Sequence, residues 1–280
     1  MIPGVPIQSK ETELLIIGER INTTRKRIGK AVRERDADFI RTEALKQAEA
    51  GATYIDANAG TSVAHEVDDL VWLTQTIQSV TSVPVCIDSA NPKAIEAALA
   101  VHRGGAVINS ITAERERLEG ILPLVVSHAT RVVALTMDDG GMPESAADRV
   151  RVAATLVEKL TDAGVERDRI HFDPLIRPIS TNPDQARQAL EATRRIMTEF
   201  EGVHTVCGLS NISFGLPRRN LLNRTFLALM IAAGLDGVII DPTEPGMMTT
   251  VLAAEALVER DSFCMNYITA EREGRLRNDE

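Results

Sequence analysis

The sequence is short of aromatic residues: one tryptophan, two tyrosines and six phenylalanines in 280 residues, 3% of the chain. Its core must therefore be aliphatic. Cysteines number three, an odd and sparse count. Cys86 and Cys207 lie inside apolar runs, which reads as buried thiols in a reducing compartment. No apolar run approaches the roughly 20 residues of a membrane span. The opening Met1-Ile2-Pro3-Gly4 lacks the basic and apolar regions of a signal peptide, so the expected location is cytoplasmic. Positive charge is also in deficit, with 31 Lys and Arg against 40 Asp and Glu, net −9 and pI about 5.2. That balance argues against a general nucleic-acid or anionic-membrane surface.

What is present is a repeating alternation. Short apolar runs stand at Leu14–Ile17, Tyr54–Asn58, Val83–Asp88, Ala106–Ser110, Val132–Thr136, Ile170–Pro174, His204–Ser210 and Gly237–Asp241. A helical pattern follows each: Asp36 to Ala50 closed by Gly51, Val67 to Ile77, Asn91-Pro92 to Leu99, and Glu114 to His128. The others run from about Ser145 to Asp162, from Asn182-Pro183 onward, from Asn220 to Ala233 and from Met247 to Val258. The runs are continuous rather than alternating, as for parallel strands buried on both faces. Eight such units without a composition break, in one domain spanning 1–280, predict a (β/α)8 TIM barrel. The charged stretch 271–280 is expected to fray. No Gly-x-Gly-x-x-Gly follows the first strand, as a dinucleotide-binding sheet would require.

In a barrel the chemistry lies where strands end. Those positions carry Glu19 and Asn22, Asp56 and Asn58, Asp88, Asn109, Thr136, Asp173, Asn211 and Asp241. A single strand-end Asp or Asn is often only a helix cap. A carboxylate or amide from nearly every strand instead makes a polar cup. No lysine ends a strand, so a Schiff-base aldolase is not supported. The histidines fall elsewhere, except that His65 could reach the cup, so a histidine-rich zinc site is not supported either. A magnesium site from Asp56, Asp88 and Asp173 is open, but no Gly-rich backbone nest for phosphate is present. Carboxylates and amides suit a flat heterocycle rich in N–H donors, since a carboxylate accepts two parallel N–H bonds from an amidine-like edge. Pterin has such an edge, as have other heterocycles.

Five motifs taken in order are more specific: Gly18-Glu19-Arg20-Ile21-Asn22, Ile87-Asp88-Ser89, Ile108-Asn109-Ser110, Asp173-Pro174-Leu175 and Gly208-Leu209-Ser210-Asn211-Ile212-Ser213. Together they resemble the pterin-binding methyltetrahydrofolate:corrinoid protein methyltransferases, and Ser210 to Phe214 is similar to the folate domain of cobalamin-dependent methionine synthase. The resemblance implies a dihydropteroate synthase-like barrel with 5-methyltetrahydrofolate or tetrahydrofolate as substrate. It implies that Asp88, Asn109 and Asp173 hold the pterin ring, with Arg219 beside the folate; Glu19 and Asp56 join the expected pterin-binding residues from their strand-end positions. Asn211 would approach N5 and act as the catalytic residue, donating a hydrogen bond as charge develops while the proton comes from water. The short methyltransferases carry glutamine where this chain has Phe214. No Asp-x-His-x-x-Gly motif for ligating cobalamin occurs. The corrinoid is accordingly expected on a separate partner protein, with no metal held by this chain and a homodimer as the assembly. Dihydropteroate synthase is the near alternative, but its Thr-Pro-Asp-Ser-Phe loop and its lysine near the seventh strand are missing. A carboxylate–magnesium lyase and a non-catalytic folate-binding protein are the readings from other classes.

Overall fold

The computed structural model describes residues 14–61 and 64–276. Within them eight parallel strands follow one another in chain order around a closed barrel, the last pairing with the first. They are β1 (Leu15–Asn22), β2 (Tyr54–Asn58), β3 (Val85–Asp88), β4 (Val107–Ile111), β5 (Arg131–Leu135), β6 (Ile170–Asp173), β7 (His204–Gly208) and β8 (Gly237–Ile240). Around them run α1 (Lys26–Glu34), α2 (Ala37–Glu49), α3 (Glu66–Gln78), α4 (Pro92–Val101) and α5 (Arg115–Ser127). The ring is completed by α6 (Ala146–Asp162), α7 (Gln185–Glu199), α8 (Arg219–Ala232), α9 (Met247–Leu257) and α10 (Met265–Arg272). The (β/α)8 barrel expected from the alternation is what forms.

Local chemistry sets several of these boundaries. The Asn91 side chain accepts from Lys93 N, and Pro92 has no N–H to lose at the first turn, so α4 starts there. Ser145 and Asp148 satisfy each other's backbone N–H groups in a capping box at the start of α6. Gly51 takes φ +99° just after α2, a conformation other residues resist.

Side chains alternate between two packing layers. Outward residues such as Ile55, Ile87, Ile108, Val132 and Phe172 meet the helices in the larger core. Inward, Ile17, Cys86, Val107, Val133, Val206 and Ile239 fill the barrel with an apolar plug. Below this plug, at the N-terminal end of the strands, the His171 and His204 rings stack with centroids 4.9 Å apart. Arg131 Nη1 lies 3.2 Å from His171 Nε2, and His204 Nδ1 lies 2.6 Å from Asp236 Oδ2. Burial first, then the neighbouring His204 and Arg131, pushes the His171 pKa well down and keeps it neutral. These two histidines thus belong to the face opposite the cup, where their positions at the strand starts put them.

Three local features depart from the expectations. Helix α1 occupies a stretch with no clear apolar period; it buries only Ile28, Gly29, Ala31 and Val32 among basic residues. Strand β7 stops at Gly208, and Leu209–Ser213 winds into a 3-10 turn, so Asn211 rides on that turn rather than on a strand mouth. Helix α10 takes in Glu271 and Arg272 of the stretch expected to fray, and 277–280 lie outside the described residues.

Candidate active site

The C-terminal end of the barrel gathers the polar strand ends above the apolar plug. Asn58, Asp88 and Asn109 stand level on three successive strands, because Asn58 pairs with Asp88 and Asp88 with Asn109 in register. Asn58 Nδ2 donates to Asp88 Oδ2 at 2.9 Å. One layer deeper, Asp56 accepts from Asn109 Nδ2 at 3.4 Å. Asp56 is buried and faces Asp88; burial and the Asp88 charge push its pKa well up. Burial also raises Asp88, while hydrogen bonds from the Asn58 amide and from Asp56 hold it down. Two apposed carboxyls of this kind keep one proton between them. Asp56 can then donate, while Asp88 presents an acceptor toward the mouth.

Asp173 enters from β6. Leu175 N donates to its Oδ1 at 2.7 Å and Gly208 N to its Oδ2 at 3.3 Å. Burial nevertheless raises its pKa to about 6, against the opposing pull of those two N–H groups and of Arg149. Holding this loop takes a buried cation. Arg149, on the inner face of α6 and 0% exposed, donates to the carbonyls of Pro174, Leu175, Glu144 and Ser145 and to Gln185 Oε1. Leu175 itself has φ +54°, a strained setting for a branched side chain that these bonds maintain.

Asn211 lies on the exposed side of its turn, and its side-chain amide makes no hydrogen bond to any described residue. A Cβ on Gly208 would sit 3.4 Å from Asn211 Nδ2, so the amide folds over the strand end whose N–H binds Asp173. The turn is pinned from α8: Arg219 Nε donates to Ser213 Oγ at 3.0 Å and Nη2 to Ser210 O at 2.6 Å. Phe214 N closes the turn on Asn211 O at 3.2 Å, leaving the Phe214 ring 63% exposed at the rim.

A cleft of about 380 Å³ opens beside the cup on the β7–β8–β1 side. Glu19, Arg25, Ser210, Arg219, Asp241 and Glu244 are among its lining residues. Burial raises the Glu19 pKa to about 7, with Arg25 pulling it down and Asp241 pushing it up. Asp241 is committed elsewhere: Arg20 Nη1 reaches its Oδ2 at 2.8 Å, and Thr243 Oγ1 donates to its Oδ1 at 2.6 Å. Arg20 also grips Glu43 of α2 at 2.6 Å, tying β1, α2 and the β8 loop together.

The expected site residues therefore fall into two groups. Hydrogen bonds join Asp56, Asp88 and Asn109, and Asp173 meets Asn211 at Gly208. Glu19 and Arg219 share the side cleft. The other strand-end residues serve structure: Asn22 Oδ1 accepts from Thr24 N at 3.0 Å, and Thr136 Oγ1 donates to Asp173 O at 3.1 Å. His65 sits exposed before α3. Among the described residues no three His, Cys, Asp or Glu side chains form a group able to hold a metal ion. Sequence reasoning missed Asn58 as the partner of Asp88, and Arg149 altogether. A signal existed for Arg149, a charged residue within the Ala146, Val150, Ala153 and Val157 stripe that α6 buries.

Comparison with known proteins bears directly on this cup. The model of a family described as pterin binding enzyme matches residues 18–241, from Gly18 on β1 to Asp241 after β8. The chain belongs to the pterin-binding enzyme family. Within it, the chain is 35% identical over 265 residues to a methylcorrinoid:tetrahydrofolate methyltransferase of Eubacterium limosum, covering 94% of this chain and 98% of that one. It is also 31% identical over 250 residues to methionine synthase of Mycobacterium leprae (strain TN), covering 85% of this chain but 21% of that protein. Among solved structures, dihydropteroate synthase from Vibrio fischeri ES114 superposes with a TM-score of 0.70 at 18% identity, covering 89% of this chain and 94% of that one. The Yersinia pestis dihydropteroate synthase superposes at 0.66 with 16% identity, covering 89% and 94%. At such identities these structures speak for the barrel alone.

Proposed function

We propose that this chain is a methyltransferase that moves a methyl group between N5 of tetrahydrofolate and the cobalt of a corrinoid carried by a separate protein. The observation that carries the reading is the near full-length similarity to a methylcorrinoid:tetrahydrofolate methyltransferase. The cup supports it chemically. Asp88 and Asp173 offer carboxylate acceptors for the N–H edge of a pterin, while Asn109 and the protonated Asp56 can match its other polar atoms.

Within this reading Asn211 faces N5. Its unpartnered amide is free to donate to that nitrogen as charge develops, and an amide brings no proton of its own. Holding the ring in the cup supplies proximity and aims N5 at the open mouth. The corrinoid, when its protein docks, supplies the cobalt that receives or gives the methyl group. The partner is accordingly a corrinoid-binding protein that covers the barrel mouth, where Phe214 and Met142 are exposed. A homodimer in a reducing, cytoplasmic setting completes the proposal, in keeping with two buried free thiols, Cys86 and Cys207. No helix among the described residues is long and apolar enough to cross a membrane.

Asn211→Ala tests the assignment. Methyl transfer in single turnover should fall by about 100-fold or more while methyltetrahydrofolate binding weakens far less, since the lost bond strengthens only toward the transition state. Unchanged turnover removes Asn211 from the chemistry.

A further inference from the structure

The proposed reaction needs a proton at N5, and no group assigned above carries one to it. Four of the five strand-end carboxyls are already engaged. Asp56 and Asp88 bond each other and the amides of Asn109 and Asn58. Asp173 holds two backbone N–H groups, and Asp241 holds Arg20 and Thr243. Glu19 differs. Among the described residues the one hydrogen-bond partner of its carboxyl is Arg25 Nη2 at 3.5 Å, the outer limit of a hydrogen bond.

Its position differs as well. Glu19 stands within β1, where the pairing with β2 shifts register between Gly18 and Ile21, and between the two halves of the site: its charge is felt by Asp56 in the cup, and its carboxyl lines the side cleft. Leu209 and Ser210, the residues just before Asn211 on the same turn, line that cleft too. A cleft of about 380 Å³ lined by both Glu19 and that turn leaves room for water between them. The charged groups facing Glu19 are Arg25 from the β1–α1 loop, Asp56 from β2, Arg219 from α8, and Asp241 and Glu244 after β8.

We propose that Glu19 is the proton reservoir of this site, exchanging a proton with N5 through water in the side cleft. The inference rests on the methyltransferase reading. As the methyl leaves, the C–N5 bond breaks, N5 keeps the electron pair, and the methyl carbon takes a pair from the partner's cobalt. An N5–H bond then forms with a proton from water, and the Glu19 carboxylic acid restores that water and becomes a carboxylate. In the opposite direction N5 loses its proton to water and the Glu19 carboxylate receives it. Burial holds the Glu19 pKa at about 7, so both forms are populated at neutral pH and either direction is served.

The test uses the full chain with Glu19→Gln and Glu19→Asp, each measured in single turnover between methyltetrahydrofolate and free cob(I)alamin across pH 5.5–8.5. Calorimetric titration with methyltetrahydrofolate and infrared titration of the carboxyl in the protein alone run beside it. Glu19→Gln should slow transfer by about 100-fold, leave affinity within about threefold, and abolish the inflection of rate and the carboxyl titration near pH 7, while the titration of Asp173 near pH 6 persists. Glu19→Asp, which keeps the acid one methylene shorter, should recover part of the rate. A Glu19→Gln protein that transfers at the parent rate, keeps the inflection, or loses rate and affinity in proportion overturns the proposal. If the unsubstituted chain itself moves no methyl group, the methyltransferase reading fails first, and the reservoir fails with it.

Discussion

Asp173 is the residue at which the proposed pterin binding and stability pull in opposite directions. Burial holds its pKa at about 6, above the ordinary carboxylate value of 3.8, despite two backbone N–H donors. A raised carboxyl pKa means the folded chain favours the neutral acid. The stabilisation is complete below the ordinary value and is lost as pH rises through about 6, by at most about 3 kcal/mol. Asp173→Asn is fixed in the neutral form, so from pH 4 to pH 8 its stability should gain on the parent by up to ~3 kcal/mol, read from urea midpoints. The pterin requirement runs the other way. Affinity of the parent for methyltetrahydrofolate should strengthen as pH rises through about 6, where the carboxylate becomes the double acceptor, and Asp173→Asn should lose that rise. A stability gap that stays constant with pH would mean Asp173 is ionised throughout.

At the scale of elements, the β6 loop shows how a helix presents a strand-end carboxylate. Arg149 of α6 holds the carbonyls of Pro174 and Leu175, and the Leu175 N–H then holds Asp173. Arg149→Met fills the same space but leaves buried carbonyls and Gln185 without a donor. It should cost at least about 3 kcal/mol in urea unfolding, and methyltetrahydrofolate affinity should fall even at temperatures where the variant is folded. The β1 end is braced similarly. Gln47 of α2 accepts from Arg20 N at 2.9 Å, and a Cβ on Gly18 would come within 2.5 Å of its Oε1. Gly18→Ala should therefore displace a fully buried glutamine and destabilise the barrel by about 1–3 kcal/mol, a loss that a larger residue at 18 only deepens.

These braces also mark the limit of legibility. Strand ends could be read from the sequence because a buried parallel strand is a continuous apolar run that stops at a polar residue. That rule located Asp56, Asp88, Asn109 and Asp173. It could not say which strand-end residues look inward to a ligand and which are consumed by structure. Thr136 and Asp241 end strands as plainly as Asp88 does, yet each is taken up by a neighbour that only the closed barrel brings near, while Asn22 is spent on Thr24 two residues on. The partner of Asp241 is Arg20, 221 positions away in sequence. Helix α1 escaped notice because its buried face amounts to four small or branched residues among basic ones. Asn211 was legible as a free amide, but not its 3-10 turn, which depends on Arg219 gripping Ser210 and Ser213 from α8.

For the whole molecule, the barrel separates support from chemistry. An apolar plug closes the interior beneath the cup. A stacked histidine pair with Arg131 and Asp236 lies at the lower end, and the cup's carboxyls and amides gather at the opposite, open face. That arrangement suits a two-protein reaction, since a substrate held in the cup can be approached from above by a partner's cofactor. The most direct measurement mixes the purified chain with methyltetrahydrofolate and cob(I)alamin under reducing, anaerobic conditions. The change in corrin absorbance is followed over time, and the same protein is offered a dihydropterin diphosphate with p-aminobenzoate. Conversion of cob(I)alamin to methylcob(III)alamin, lost in Asn211→Ala, with no pteroate formed, is the expected result. An inert corrin spectrum together with pteroate synthesis would contradict it.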